Sequence, residues 1–167
     1  MPAETASKLF LEQAVWRLRE DYPPKLRRCL EGLTEEQVWW RPNPACNSVG
    51  NLLLHLAGNL RQWVVAGLGG APDRRDRPAE FRAAGPVPKA ELLADLEQAL
   101  ADTCTVIAGL DDSELVRSRR IQVYENRTGL EAVFHVVEHF SGHLGQIIYI
   151  TKLLDGQDLG FYGYLNP

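Results

Sequence analysis

The stretch Thr128 to Leu154, TGLEAVFHVVEHFSGHLGQIIYITKLL, limits the fold more than any other part of the chain. Apolar Leu130, Val133, Phe134, Val137, Phe140, Leu144, Ile147 and Ile148 recur at steps of three and four, the period of an amphipathic helix and not of a strand. Thr128 with Glu131 makes a capping-box start, and Asp155-Gly156 supplies a stop. Three of the four histidines, His135, His139 and His143, stand in this helix four residues apart and so form one stripe along it.

That spacing suits metal ligands within a limit set by reach. Two histidines one turn apart are separated by about 6 Å along the axis, so both rings can grip one ion. Three climb about 12 Å and rotate about 80° in all, too far for the outer two to share an ion. One adjacent pair is therefore the ligand pair, and the odd histidine belongs to the surrounding layer or the core. A third ligand has to come from another helix, and only His55 remains.

His55 lies in NSVGNLLLHLAGNLRQW, where Asn51, His55, Asn59 and Gln62 share a helical face beside Leu52, Leu53, Leu56 and Leu60. Buried polar groups without partners cost about 1–3 kcal/mol each, so this stripe needs polar neighbours, which His139 and His143 across a bundle would supply. Three neutral imidazoles with an open fourth position form a catalytic type of metal arrangement, and helix bundles build such sites in their cores. The competing reading is a set of satisfied core or surface histidines with no metal. Placement of all four histidines on two helices, none in a loop or tail, favours the metal. Gly142 and Gly145 point the same way: each costs about 1 kcal/mol relative to Ala in a helix interior, which predicts close approach by a ligand or a neighbouring helix.

The stretches SVGNLLLHLAGNLRQW and HVVEHFSGHLGQI resemble the two histidine-bearing helices of the DinB-like superfamily of four-helix-bundle metal proteins, which is unrelated to the DNA polymerase of that name. The similarity extends through TEEQVWWRPNPACNSVGN and GGAPDRRDRPAEF. It implies a divalent metal held by the histidine of the second long helix and by the H-x-x-x-H pair before Gly-Gln. Those positions are His55, His139 and His143, with His135 left as the extra residue. The superfamily includes bacillithiol S-transferases and mycothiol-dependent maleylpyruvate isomerase, and the chain is most similar to a subgroup whose members mostly have no assigned reaction. The expected ion is zinc or nickel, with iron or manganese as alternatives. A homodimer is also implied, and the apolar Trp39-Trp40 region suits a subunit contact.

At 167 residues, with 45% hydrophobic and 24% charged residues, a single soluble globular domain spanning 1–167 is expected. A net charge of −4 weighs against nucleic acid as a partner. No apolar run approaches the roughly 20 residues needed to span a bilayer. The segment MPAETASKLFLEQ carries acids within an amphipathic pattern and is not a secretory signal, so a cytoplasmic location is expected. Cys29, Cys46 and Cys104 are odd in number and lack a C-x-x-C, which predicts free thiols in a reducing compartment.

Along the chain, a first helix begins near Thr5, and Pro23-Pro24 must kink or interrupt it before KLRRCLEGL resumes the pattern to Gly32. Thr34 and Gln37 open a short helical turn that ends before Pro42. Of the two tryptophans, one packs inward and the other covers a loop or a subunit contact. Ser48 or Asn47 caps the second long helix, which runs to about Gly67. GLGGAPDRRDRPAEFRAAGPVP then reads as a long loop, of a kind often used as a cover or binding segment. Its Arg74, Arg75, Asp76, Arg77, Glu80 and Arg82 form either a solvated, self-paired cluster or an anion-binding edge for a substrate carboxylate or phosphate. Lys89 to Ala108 is the third long helix, with Pro88 in its opening turn. LDDSELVRS is a short capped turn, RRIQVYENR an extended arm or small hairpin, and DGQDLGFYGYLNP a tail over a bundle end or the metal-pocket mouth. The pattern predicts an all-α fold, a four-helix bundle of up-down type or with one long crossover.

The function expected from these readings is that of a metalloenzyme of the thiol S-transferase type, acting on a small molecule with a low-molecular-weight thiol. Asn59 and Gln146 orient ligands or substrate around the ion, and His135 is a proton carrier or a core histidine. Glu138 directly precedes His139 on a different face, so no H-E-x-x-H is present, which weighs against peptide hydrolysis. The alternative is a non-catalytic, metal-stabilised dimeric or stress-associated binding protein.

Overall fold

The computed structural model describes residues 5–165. The part of the N-terminal reading that rests on residues 1–4 lies outside the described residues. α1 (Ala6–Trp16), a π-helical turn (Arg17–Asp21) and α2 (Tyr22–Glu31) follow one another without a break. The interruption expected at Pro23-Pro24 is absorbed by that turn. Prolines lack the N–H that an α-helix would use here, and the wider turn instead lets the Tyr22 N–H reach the Arg17 carbonyl, five residues back. α3 (Glu35–Trp39) is opened by the Thr34–Gln37 capping box, and α4 (Val49–Leu60) by a second box from Ser48 and Asn51. α4 also continues into a π segment, Arg61–Ala66, which carries Gln62 and Trp63.

The long loop is not structureless. Asp76 accepts from the Ala79 N–H and Pro78 sits in the first turn of a short helix, α5 (Arg77–Arg82). Asp before Pro is a helix-start pattern that fits an orphan N–H. α6 (Lys89–Ala108) and α7 (Asp112–Val116) follow. β1 (Ser118–Ile121) pairs antiparallel with β2 (Tyr124–Thr128), with Gln122 at positive φ in the connection, which settles the extended arm as a hairpin. Thr128 ends β2 and caps α8 (Gly129–Asp155), whose stop is Gly156 in the left-handed region at φ 70°.

The chain is thus mostly helical with a small two-stranded sheet. A pure four-helix bundle is not what forms: α3, α5, α7 and the hairpin are added to the long helices. α4 packs along α6 and α8, α2 lies against α8, and α1 touches both α6 and α8. Their shared core holds Leu18, Leu26, Leu52, Leu56, Leu96 and Ile147, each 0–1% exposed, and Tyr22 stacked on Phe140 at 5.3 Å. Burial of each such side chain contributes about 1.5–3 kcal/mol. This core fixes α4 and α8 side by side, which decides where the histidines go.

Trp39 is the inward tryptophan. Its ring fills the space between Gly50 and Gly85, where a Cβ would stand 2.9 Å and 3.2 Å from it, and its Nε1 donates to the Val87 carbonyl. Trp40 is 37% exposed. The tail returns to the helix ends, with Leu159 buried and the Tyr162 ring 5.8 Å from Lys25 Nζ of α2. Cys29, Cys46 and Cys104 are free, and burial pushes the Cys29 and Cys104 thiols up. Among the described residues, no helix is long and apolar enough to cross a membrane.

Candidate metal centre

α4 and α8 bring His55, His139 and His143 together. One possible ligand atom from each lies within 4.8 Å of the others. His55 Nε2 and His139 Nε2 are 3.0 Å apart, and the His139 and His143 ring centroids are 4.5 Å apart. Two nitrogens on a tetrahedral ion at about 2.0–2.1 Å each lie about 3.3 Å from one another. The His55–His139 pair is already at that scale, and a His143 ligand atom lies within 4.8 Å of both.

The reverse sides of two rings are held. Glu80 Oε2 lies 2.9 Å from His55 Nδ1, and Gln146 Oε1 lies 2.9 Å from His143 Nδ1. Both oxygens are acceptors, so each Nδ1 donates and each Nε2 keeps a lone pair, as an imidazole ligand requires. His139 Nδ1 is buried and has no partner among the described residues. His139 is therefore the one poorly satisfied ring of the cluster. Burial first, then the neighbouring histidines, pushes its pKa down to about 3. Burial also lowers His143, against the opposing hydrogen bond to Gln146. Three imidazoles converging from two helices form a donor set that fits a divalent transition metal and can hold one.

Behind His55 stands an ion pair that sequence reasoning missed as a functional element. Glu80, on α5, also accepts from Arg75 Nε at 2.7 Å and from Arg75 Nη2 at 2.9 Å. The two side chains are only 10% and 3% exposed. Burial pushes the Glu80 carboxyl up, but hydrogen bonds from His55 and Arg75 and the Arg75 charge outweigh it and hold the group below its usual range. Arg75 Nη2 comes within 3.0 Å of His55 Nδ1 because both donate to the same carboxylate oxygen. Gly58, one turn beyond His55, makes room: a Cβ there would collide with Glu80 Oε1. Asn51 anchors α5 from below by donating to the Glu80 and Ala83 carbonyls, both at 2.8 Å. The signal available in sequence was Asp76-x-Pro78, a helix start that places Glu80 toward α4.

His135 stays apart from the other three. Asn59 Nδ2 reaches its Nε2 at 3.2 Å, and the Trp63 ring lies 3.9 Å away, centroid to centroid. Asn59 thus orients His135 and not a metal ligand. Burial lowers His135, against the field of Glu138. Gly142 and Gly145 meet no close neighbour: nothing lies within 4 Å of a Cβ at either position. The close approach expected from them does not occur within the chain.

Residues 5–162 match the model of the family described as "Protein of unknown function (DUF1572)". The chain belongs to this family. No curated protein matches it. A crystal structure of "the conserved protein of locus" from Enterococcus faecalis is similar in fold, with a TM-score of 0.72 and 19% identity over 93% of this chain and 100% of the other.

In this DUF1572 chain the Arg-rich segment divides by contact. Arg75 turns inward to Glu80 and to Gln62 Oε1, while Arg82 meets Asp76 at 3.8 Å on the exposed surface. Arg77 lies over Phe81, 4.9 Å from its centroid, and Phe81 packs on His55 at 4.7 Å. Self-pairing is therefore the rule here, but the Arg75–Glu80 pair is buried and serves His55 instead of water.

The lowered histidine pKa values carry a sign for stability. A base whose folded pKa is depressed takes up protons more readily when unfolded, so stability falls with falling pH. For His139 the window opens near the usual imidazole value of 6.5 and extends down toward about 3. Metal-free protein at pH 5.5 is expected to unfold at lower urea concentration than at pH 7.5, and His139→Phe is expected to flatten that difference. An equal midpoint at both pH values would remove the claim that these rings are buried neutral.

Proposed function

We propose that this protein binds one divalent metal ion through His55, His139 and His143, and uses it as a thiol-dependent metalloenzyme of S-transferase type. The observation that carries the reading is the convergence of three imidazoles, two with their far nitrogens fixed by Glu80 and Gln146. Zinc or nickel suits three imidazoles best, with iron or manganese next. Three protein ligands leave a fourth position open, the pattern of catalytic rather than structural sites. His135 is bonded to Asn59 and is not among the three histidines whose ligand atoms converge, which weighs against a fourth protein ligand and a structural ion.

When bound, the ion supplies a Lewis acid that lowers the pKa of a thiol or water at the open position. The chain's own residues do the rest. Glu80 and Gln146 hold His55 and His143 in the ligating tautomer, Phe81 packs on the His55 ring, and Trp63 packs on His135. His135 stands 5.2 Å from His139, centroid to centroid, with Asn59 Nδ2 donating to its Nε2, so the ring is held beside the site in its Nδ1-protonated form. The resemblance to the DinB-like superfamily agrees with this ligand set, and the three free cysteines agree with a cytoplasmic setting. Elemental analysis of protein purified without chelator tests the metal. Transfer assays with bacillithiol, mycothiol and glutathione against electrophilic acceptors then test turnover. Metal without transfer to any acceptor favours the second reading, a non-catalytic metal-stabilised binding protein.

A further inference from the structure

Ile121 pairs with Tyr124, so β1 and β2 are joined by a two-residue loop, Gln122-Val123. Gln122 stands at φ 56° and is the one non-glycine residue at positive φ among the described residues. The first position of such a tight turn favours glycine, with asparagine and aspartate next. Glutamine gains nothing there from its backbone, so a strained turn that keeps it points to a use for the side chain.

The hairpin is seated on the end of α4 and its π segment. Ile121 is buried, its Cδ1 3.0 Å from where a Cβ of Gly67 would stand, and the Tyr124 ring lies 5.8 Å from that of Trp63. Between these contacts one end of the Gln122 carboxamide lies 3.1 Å from Trp63 Nε1 and 3.2 Å from Arg75 Nη1. Both neighbours donate, so that end is the oxygen. The Gln62 carboxamide, which accepts from the same Arg75 Nη1 at 2.9 Å, lies against it. The other loop residue, Val123, is 80% exposed.

The two donors lead to two different histidines. Arg75 is bonded to Glu80, which accepts from His55. Trp63 packs on His135 at 3.9 Å, and His135 neighbours His139 at 5.2 Å. Gln122 is the point where the supports of His55 and His135 meet. Gln62 and Trp63 both belong to the π segment, and a wide turn inside an α-helix frequently marks a functional site.

We propose that Gln122 is a positioning residue of the candidate centre: its side-chain oxygen, presented by a strained turn, fixes Trp63 and Arg75 and through them His135 and His55. Its effect on a bound ion rests on the three-histidine reading above.

Gln122→Asn and Gln122→Glu separate the side chain from the turn. Asparagine suits the left-handed region better than glutamine but is one methylene too short for the same reach. Glutamate keeps both the reach and the acceptor. In metal-free Gln122→Asn the Trp63 indole N–H is expected to exchange with solvent more than about tenfold faster than in the parent. His55 and His135, each a single tautomer in the parent by long-range ¹⁵N spectra, are expected to show both. Zinc, read by competition with a chromophoric chelator, is expected to bind about three- to tenfold more weakly, less than the roughly 10–100-fold seen when a ligand loses its own partner. Gln122→Glu is expected to match the parent in all three. If residue 122 only shapes the turn, Gln122→Asn equals the parent throughout, and that result overturns the proposal. So does faster indole exchange with tautomers and zinc affinity unchanged, which would leave Gln122 as an anchor of the hairpin alone. A parent that binds no zinc removes the metal reading instead. The tautomers in metal-free protein then decide, and single tautomers kept in Gln122→Asn overturn the positioning role.

Discussion

Single replacement of His55, His139 or His143 by Ala is expected to lower bound divalent metal from about one ion per chain to less than about a tenth of that after desalting. Each loss leaves two imidazoles, and on no pair are other donors positioned to replace the third: of the polar groups beside the site, Glu80 and Gln146 are already engaged by His55 and His143. His135→Ala is the control. Its ring is bonded to Asn59 and packed at a tilt against Trp63, so its loss should leave metal content unchanged. Mass-spectrometric metal analysis of the four variants, each loaded with zinc and with nickel, reads the outcome directly. Full metal content in both His55→Ala and His143→Ala would falsify the ligand assignment. Loss in His135→Ala alone would move the site one turn along α8.

The histidine pattern was legible because it rides on helical periodicity. His139 and His143 must share a face, and the leucine stripe around His55 must point the same way as that residue's neighbours in the core. Burial of Leu52, Leu53 and Leu56 at 0–1% exposure forces α4 against its neighbours and carries His55 with it. Glu80 was not legible by the same means. It lies on a helix of six residues, too short to show a period, inside a charged segment that looks like solvated loop. Its role depends on Gly58, an absence of side chain on another helix, and no pattern within either stretch connects the two. The π turn before Pro23-Pro24 was hidden for a related reason. Two prolines announce a break, but the chain can widen its turn instead, and that choice depends on the packing of Leu18 and Leu26 into one core. Gly142 and Gly145 were read as marks of close approach, and no described residue supplies it: nothing lies within 4 Å of a Cβ at either position.

Removing the Glu80 carboxylate is expected to be the most damaging single change outside the ligands. Glu80→Ala leaves the Arg75 guanidinium, 3% exposed, without its counter-charge, and loss of one partner of a buried pair costs about 3–5 kcal/mol. It also frees His55 Nδ1, and loss of such an outer hydrogen bond weakens metal binding by about 10–100-fold. Urea unfolding of the metal-free protein measures the first effect, and competition with a chromophoric chelator the second. Gly58→Ala separates them. Its methyl group displaces the Glu80 carboxylate away from α4, where Arg75, five residues earlier in the same segment, can follow but His55 cannot. The expected signature is a drop in metal affinity approaching that of Glu80→Ala with a smaller loss of stability. If Gly58→Ala instead binds metal as tightly as the parent, the carboxylate is not what holds His55 in place. Glu80 would then be a partner for Arg75 alone, and the position of His55 would have to come from the packing of Phe81 against its ring.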